Sequence, residues 1–373
     1  MRLGLKVAFG YAPAMRIRFR RILLVAFILA FAATGHAGGR TALPAAGVFP
    51  GEGWSQLASP EQAGWQGAKL KEIGGYLGQI GSTSVMIVQH GVVVRAWGDI
   101  ARRSNLHSCR KSLLNSLIGI EVASGRIKLD DTLEKLGIDD KKPSLTAEEK
   151  QATVRDLLEA RSGVYHATSY ETKGMEEAKP ARGSHPPGTF WYYNNWDFNT
   201  LGYIYEQATG EKIFDTYLKK IAQPIGMQDF RGAMDGRYIG SPDTRFPAYV
   251  FDMSARDFAR FALLYLRGGR WNGKQVVPED WVKASTRPYS DTESGGYGYL
   301  WWTGDSASGK SARIQFPAGS FWAEGHLGQY AVVVPSLDLI VVNRVDDTLS
   351  RQTVHKRQMA QLVQMVISAA PGR

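Results

Sequence analysis

Apolar positions along the chain follow two periods. Leu70, Ile73 and Leu77 recur at helical spacing after Ser59-Pro60-Glu61, a helix-start signal. Val85-Met86-Ile87-Val88 and Val92-Val93-Val94 are β-rich runs on either side of His90-Gly91, which predicts a hairpin. In residues 108–124, Leu113, Leu114, Leu117, Ile118, Ile120 and Val122 cover an arc of roughly 200°. That width predicts a helix buried on most sides, ended by Gly125. Helical patterns also cover 130–136, 147–160, 197–208 and 212–222, so the middle of the chain is mainly α. Residues 254–267 add a helix with Phe258, Phe261, Ala262 and Tyr265 on one face. Then 297–302, 326–334 and 337–345 read as strands, and 356–370 as a closing amphipathic helix. Early strands that must pair with late ones predict an α/β (α+β) fold. One antiparallel sheet is flanked by helices and interrupted by an all-α insertion near 105–250.

Composition narrows the class. At 373 residues and 44% hydrophobic, the chain can bury a core without staples. Its one cysteine, Cys109, forms no internal disulfide, and no Cys/His cluster has zinc-ligand spacing. The formal charge of +10 suggests nucleic acid until its position is read. Residues 1–37 hold six basic side chains and no acidic one, leaving 39 positive against 35 negative, a net of +4. That is an ordinary soluble surface. Arg16 to Arg21, thirteen apolar-rich residues from Ile22 to Thr34, and Gly35-His36-Ala37 read as a signal peptide. The expected product begins near Gly38, with 38–58 as a flexible lead-in, and is periplasmic or secreted. The alternative is an uncleaved anchor, the only membrane contact expected. Met15 is a second possible start.

The chemistry begins at Ser108-Cys109-Arg110-Lys111, the only S-x-x-K in the chain. Positions i and i+3 share a helix face, so Lys111 stands one turn from the Ser108 hydroxyl. A helix N-terminus also favours developing negative charge. Taken alone, this is equally an N-cap serine followed by a solvated lysine. Tyr193-Asn194-Asn195 follows 85 residues later, after Pro187-Gly188-Thr189, and Gly325-His326-Leu327-Gly328-Gln329 comes 133 residues after the tyrosine.

These three motifs, in this order, resemble the active-site set of the serine β-lactamases and penicillin-binding proteins. The class C β-lactamase-like branch is the most similar, with its DD-peptidases, esterases and 6-aminohexanoate-dimer hydrolases. The resemblance runs from about residue 59 to 366. It includes Arg161-Ser162-Gly163, Ser254-Ala255-Arg256-Asp257 and Tyr297-Gly298-Tyr299-Leu300-Trp301-Trp302. It implies a β-lactamase/transpeptidase-like serine hydrolase domain over 59–373, without metal or cofactor.

In that resemblance Ser108 is the nucleophile and Tyr193 the general base beside Lys111; which of the two takes the first proton stays open. Asn195 binds the substrate amide or carbonyl. The Ser108 and Gln329 N–H groups, after His326-Leu327-Gly328, form an oxyanion hole. Tyr192 also begins a Y-x-N; Tyr193 is preferred because Asn195 lies seven residues before Gly202. Asn194 and Asp197 depart from the usual small residues. His326 replaces a frequent lysine. An imidazole with an ordinary pKa near 6.5 is mostly neutral at pH 7, which tilts the substrate toward esters or simple amides. Tyr165 is a candidate second substrate tyrosine, or a plain loop residue.

Three further readings complete the picture. Trp191, Tyr192, Tyr297, Tyr299, Trp301, Trp302, Phe321 and Trp322 are expected mainly in the core, with a few lining an apolar pocket. Cys109 is expected to be a buried, inert thiol. Residues 304–311 match the P-loop pattern, but 312–316 alternate like a strand and Pro317 follows, so no phosphate-binding helix is expected. The expected activity is hydrolysis of a small-molecule amide or ester, with no nucleic acid or nucleotide partner. The alternatives are a true β-lactamase or DD-carboxypeptidase, and a non-catalytic sensor of peptidoglycan or β-lactams.

Overall fold

The computed structural model describes residues 47–141 and 143–372; the expected leader at 1–37 lies outside them. Eight strands build the main sheet: β1 (Ser84–Gln89), β2 (Val92–Gly98), β3 (Ser290–Thr292), β4 (Gly295–Tyr297), β5 (Trp302–Thr303), β6 (Phe321–Gly325), β7 (Gln329–Val334) and β8 (Leu339–Arg344). Their order is β2-β1-β8-β7-β6-β5-β4-β3, antiparallel throughout. The early hairpin thus pairs with the last strand, from Ser84 opposite Arg344 to Gln89 opposite Leu339. The main helices are α1 (Gly67–Ile80), α2 (Arg110–Ala123), α3 (Asn195–Thr209), α4 (Ala255–Leu266) and α5 (Lys356–Ala369).

The sheet is covered on both faces. Val85, Ile87, Val332 and Val341 meet Leu70, Ile73 and Leu77 of α1 and Leu362, Val363 and Val366 of α5. Met86, Val88, Ala331, Val333 and Val342 face the second core, which contains α2 and α4. Two-sided burial explains why these strands read as unbroken apolar runs rather than alternations. His90 and Gly91, both at positive φ, close the hairpin.

Several expectations need correction. Pro60 to Gly64 form a turn, and α1 starts only at Gly67. Residues 130–136 are not helical: Leu133 N–H and Glu134 N–H donate to Ala152 and Lys150, so a cross-chain contact overrides local propensity. Within 147–160 the α-helix covers only Val154–Leu158, started by a capping box of Thr153 and Asp156. The predicted strand at 297–302 is broken by a turn, with Leu300 at φ 60°. The insertion is not all-α, because Ser104–Asn105, Ala248–Met253 and Gly236–Ile239 form a three-stranded sheet. Within the lead-in, Arg260 donates to the carbonyls of Gly51 and Glu52, and Leu57 N–H to Val93. Residues 51–57 are thus strapped down.

Helix α2 carries the first motif and is buried along nearly its whole length. Its polar side chains find partners inside: Ser112 Oγ donates to Leu300 O, and Asn115 Nδ2 to Tyr299 O. Trp281 Nε1 donates to Asn115 O at 2.9 Å and packs flat against the helix at Gly119. A Cβ on Gly119 would stand 2.1 Å from Trp281 Cδ1. Gly119→Ala is therefore expected to destabilise the fold by about 1–3 kcal/mol despite its better helix propensity. Denaturant unfolding checks this, and an unchanged midpoint would show that the contact is not tight.

Candidate active site

Ser108 lies in a single helical turn, His107–Cys109, that leads directly into α2. The turn is entered through His107 at φ 49°, a left-handed conformation that costs a non-glycine residue of order 1 kcal/mol. Its neighbours hold it there. His107 N–H donates to Asn105 Oδ1 at 2.8 Å, and its Nδ1 lies 3.0 Å from Tyr170 Oη. Asn105 Nδ2 donates to the same Tyr170 oxygen. Strand β6 passes so close that a Cβ on Gly325 would lie 2.4 Å from Leu106 O, so only glycine fits there.

Lys111 Nζ is 2.7 Å from Ser108 Oγ and 2.8 Å from Tyr193 Oη. The amine lies 4.4 Å from the Tyr193 ring centre and 4.7 Å from that of Phe198, and Lys111 is 2% exposed. Burial first, and then the charge of Arg110, drive its pKa well below the lysine range. Burial also pushes the Tyr193 hydroxyl upward. An ammonium beside Tyr193 would favour a phenolate, but burial works against the charged form of both groups.

Tyr193 comes from the extended stretch before α3. Asn194 caps that helix through Trp196 N–H, and its Nδ2 donates to Val164 O and Asp197 Oδ1. Asp197 also accepts from Ser162 Oγ at 2.5 Å. The two departures, Asn194 and Asp197, thus bolt the tyrosine segment to Ser162-Gly163-Val164. Tyr192 Oη points elsewhere and donates to Met175 O, which selects Tyr193 as the residue at Lys111.

The third motif is a turn, not the start of a strand. His326–Gly328 joins β6 to β7, and β7 begins at Gln329. Cys109 Sγ donates to Gln329 O at 3.3 Å, tying the start of β7 to the residue after Ser108. The thiol itself is fully buried, and burial raises its pKa. The Gln329 side chain turns inward to Val345 O and Arg344, leaving only its backbone for a substrate.

Ser108, Tyr193, His326 and Gly328 line one cleft of about 360 Å³. Lys111, buried behind Ser108 and Tyr193, does not line it, nor do Gln329, Asn195 and Tyr165. Asn195 Nδ2 is spent on Tyr170 O. Tyr165 is buried edge-on against Tyr192 and His185. Of the eight aromatics singled out, Trp302 alone lines the cleft; Tyr297, Tyr299, Trp301 and Trp322 are core.

Sequence reasoning missed other cleft residues: Thr172, Met175, Glu324 and the start of α5. Lys356 Nζ lies 3.3 Å from Glu324 Oε2 and 3.9 Å from the Trp302 ring centre. Amphipathicity located α5 but carried no sign that its first turn meets the cleft. His107, drawn down to about 4 by burial and then by His326, was missed although it adjoins Ser108. The P-loop-like segment joins β5 to β6 with no helix after it, and Ser308 N–H donates to Asp291. Residues 312–316 form no strand; Phe316 stacks on Trp322 instead.

An antiparallel sheet covered on both faces, with a serine at the start of a buried helix and lysine one turn on, defines the β-lactamase/transpeptidase-like class of fold. The chain belongs to the Beta-lactamase family, whose profile matches residues 71–362. An uncharacterized protein of Alkalihalophilus pseudofirmus is 25% identical over 291 residues, 69% of this chain and 82% of that one. A putative 6-aminohexanoate-dimer hydrolase from Bacillus anthracis is similar in structure, with a TM-score of 0.59, 19% identity and 80% of each chain covered. A β-lactamase from Mycobacterium bovis gives 0.55 and 20%, covering 80% of this chain and 98% of that one. A penicillin-binding protein homologue from Pyrococcus abyssi gives 0.55 and 18%, covering 82% and 78%.

The hydrogen-bond pattern separates the two tyrosines. Tyr193→Phe is expected to lower kcat by about 10²–10⁴, the usual worth of a positioned proton-transfer group. Tyr192→Phe is expected to stay within a few-fold of wild type. Lys111→Ala combined with Tyr193→Phe should be little worse than either change alone, because the pair acts as one unit. Steady-state kinetics on one ester decide this, and greater damage from Tyr192→Phe would overturn the assignment.

Proposed function

We propose that this protein is an exported serine hydrolase that cleaves an ester or a simple amide through an acyl-enzyme on Ser108. The observation that carries the reading is the Ser108–Lys111–Tyr193 triangle, with Lys111 Nζ at 2.7 and 2.8 Å from the two oxygens. The neutral Lys111 amine takes the Ser108 proton as Oγ attacks the substrate carbonyl. The oxyanion is met by the N–H groups of Ser108 and Gln329. The proton then passes through Tyr193 to the leaving alkoxide or amine, and the acyl bond to Ser108 remains. Water, giving its proton to the same pair, attacks that acyl carbon and releases the acid.

Two features favour esters and simple amides over carboxylate-bearing β-lactams. The third motif offers the imidazole of His326 where an ammonium is frequent. The cleft's own ammonium, Lys356, is already balanced by Glu324 at 3.3 Å. Lys356 therefore leaves no free positive charge for a substrate carboxylate. The structural likeness to a putative 6-aminohexanoate-dimer hydrolase supports the amide side of the reading. We also infer export, from the basic, apolar and small-residue succession in residues 1–37. N-terminal sequencing of protein from the periplasm or medium should begin near Gly38, and residues 1–37 retained in the membrane fraction would favour an anchor.

A fluorophosphonate probe should label the wild-type protein on Ser108 and leave Ser108→Ala unlabelled. p-Nitrophenyl butyrate should turn over faster than nitrocefin, and Ser108→Ala should abolish both. Activity rises with pH as the buried Lys111 loses its proton, and it should reach its plateau below the ordinary lysine pKa near 10.4. Labelling that persists without Ser108 would sink the nucleophile. Faster turnover of nitrocefin would move the reading to a β-lactamase, and tight β-lactam binding without turnover to a sensor.

A further inference from the structure

The Y-x-N segment and the Ser108 turn are also joined by a second route, away from Lys111. Asn195 opens α3 and is 2% exposed. Its Nδ2 donates to Tyr170 O at 2.7 Å, and its Oδ1 meets no donor, so that carbonyl is the side chain's one short polar contact. One turn further on, Asn199 Nδ2 donates to Ser169 O at 3.0 Å. The start of α3 thus pins two successive carbonyls, and Tyr170 takes a left-handed φ of 63°.

The Tyr170 hydroxyl closes a cycle of three hydrogen bonds. It accepts from Asn105 Nδ2 at 2.7 Å, Asn105 Oδ1 accepts from the His107 N–H at 2.8 Å, and His107 Nδ1 stands 3.0 Å from the hydroxyl. Asn105 supplies a donor, so the hydroxyl proton needs an acceptor, and His107 Nδ1 is the one the cycle provides. The backbone of Asn105 is anchored in turn, because its carbonyl accepts from the buried Arg344. His107 is therefore held through both its N–H and its imidazole.

We propose that Asn195 is a positioning residue for the nucleophile: through Tyr170 it clamps His107 in its left-handed conformation and so aims the peptide N–H of Ser108 at the oxyanion. The inference rests on the Ser108 acyl-enzyme reading and reassigns Asn195 within it, from touching the substrate to shaping the turn before Ser108. The planar peptide that ends in the Ser108 N–H starts at the His107 carbonyl, so the His107 dihedrals set where that N–H points. At φ 49° His107 occupies a region that glycine visits freely and other residues do not, and an unclamped backbone relaxes out of it. An N–H that swings away no longer meets the charge that develops in the transition state, while ground-state contacts in the cleft stay as they were. Loss of the clamp falls on kcat rather than on KM.

The test combines clamp variants with His107→Gly, because glycine keeps a left-handed φ without help. On p-nitrophenyl butyrate, Tyr170→Phe should lower kcat about tenfold and leave KM within about twofold of wild type. Asn195→Ala should do the same. Adding His107→Gly to either variant should regain most of the lost kcat, since the backbone no longer needs the clamp. A double variant no faster than its parent would overturn the proposal. So would an Asn195→Ala loss that lies in KM, the mark of a direct substrate contact. If Tyr170→Phe fails to fold, Asn105→Ala opens the same cycle at another bond and carries the same rescue.

Crystal structures of the variants read the clamp without turnover. His107 should leave the left-handed region in Tyr170→Phe, and the backbone at position 107 should return to positive φ once His107→Gly is added. An unmoved His107 in Tyr170→Phe refutes the clamp. Absence of any Ser108-dependent turnover in wild type would defeat the acyl-enzyme reading, and the structures would still decide whether Tyr170 holds the turn.

Discussion

Keeping one lysine out of water organises this molecule. An ammonium at the Lys111 position would lose its hydration, and among the described residues no carboxylate pairs with it, so burial drives its pKa well below the lysine range. The same dryness keeps Tyr193 a phenol. Ser108, Lys111 and Tyr193, linked by contacts of 2.7 and 2.8 Å, can hand a proton along without an isolated buried charge persisting. A solvated lysine would be charged at neutral pH and could not accept the Ser108 proton. The surrounding architecture follows from the need to exclude water on every side of α2.

The fold meets that need by wrapping the helix in the second core, with Trp281 packed on it and its polar side chains bonded internally. The cleft side is held by Arg344. Its guanidinium donates to Met253 O, Ser104 O and Asn105 O, and to the Gln329 side chain. One cation therefore joins the end of β8, the small sheet, the approach to Ser108 and the strand that supplies the Gln329 backbone. Burial draws this guanidinium down only to about 10, so it stays charged at neutral pH and its bonds keep their strength.

What could be read from the sequence was whatever depends on local pattern. The hairpin at His90-Gly91, the buried stripe of α2 and the amphipathic α4 and α5 need only neighbours in the chain. The S-x-x-K pair was legible for the same reason, since i and i+3 meet on any helix. The misses are places where distant contacts decide. Leu133 and Glu134 pair with 150–152 instead of forming a helix, and the 298–301 turn divides β4 from β5. Tyr165 lost its expected place because its ring packs on Tyr192, while Tyr170, five residues on, reaches His107. Lys356 is more than 240 residues from Ser108 in sequence, and no periodicity announces that meeting.

The chemistry and the stability of the fold pull in different directions, with a sign that can be worked out. Folding lowers the pKa of Lys111, so between that value and the ordinary lysine pKa the unfolded chain binds one more proton than the folded one. Stability therefore rises with pH across that window. Folding raises the Tyr193 pKa, so above the ordinary tyrosine value near 10 the unfolded chain releases a proton that the fold retains, and stability falls again. The pair thus costs least near pH 10, and burial of Lys111 costs more as the pH falls below the ordinary lysine value. The two-faced sheet and its helices must supply the difference, which is why so large and dry a core stands behind a cleft of only about 360 Å³.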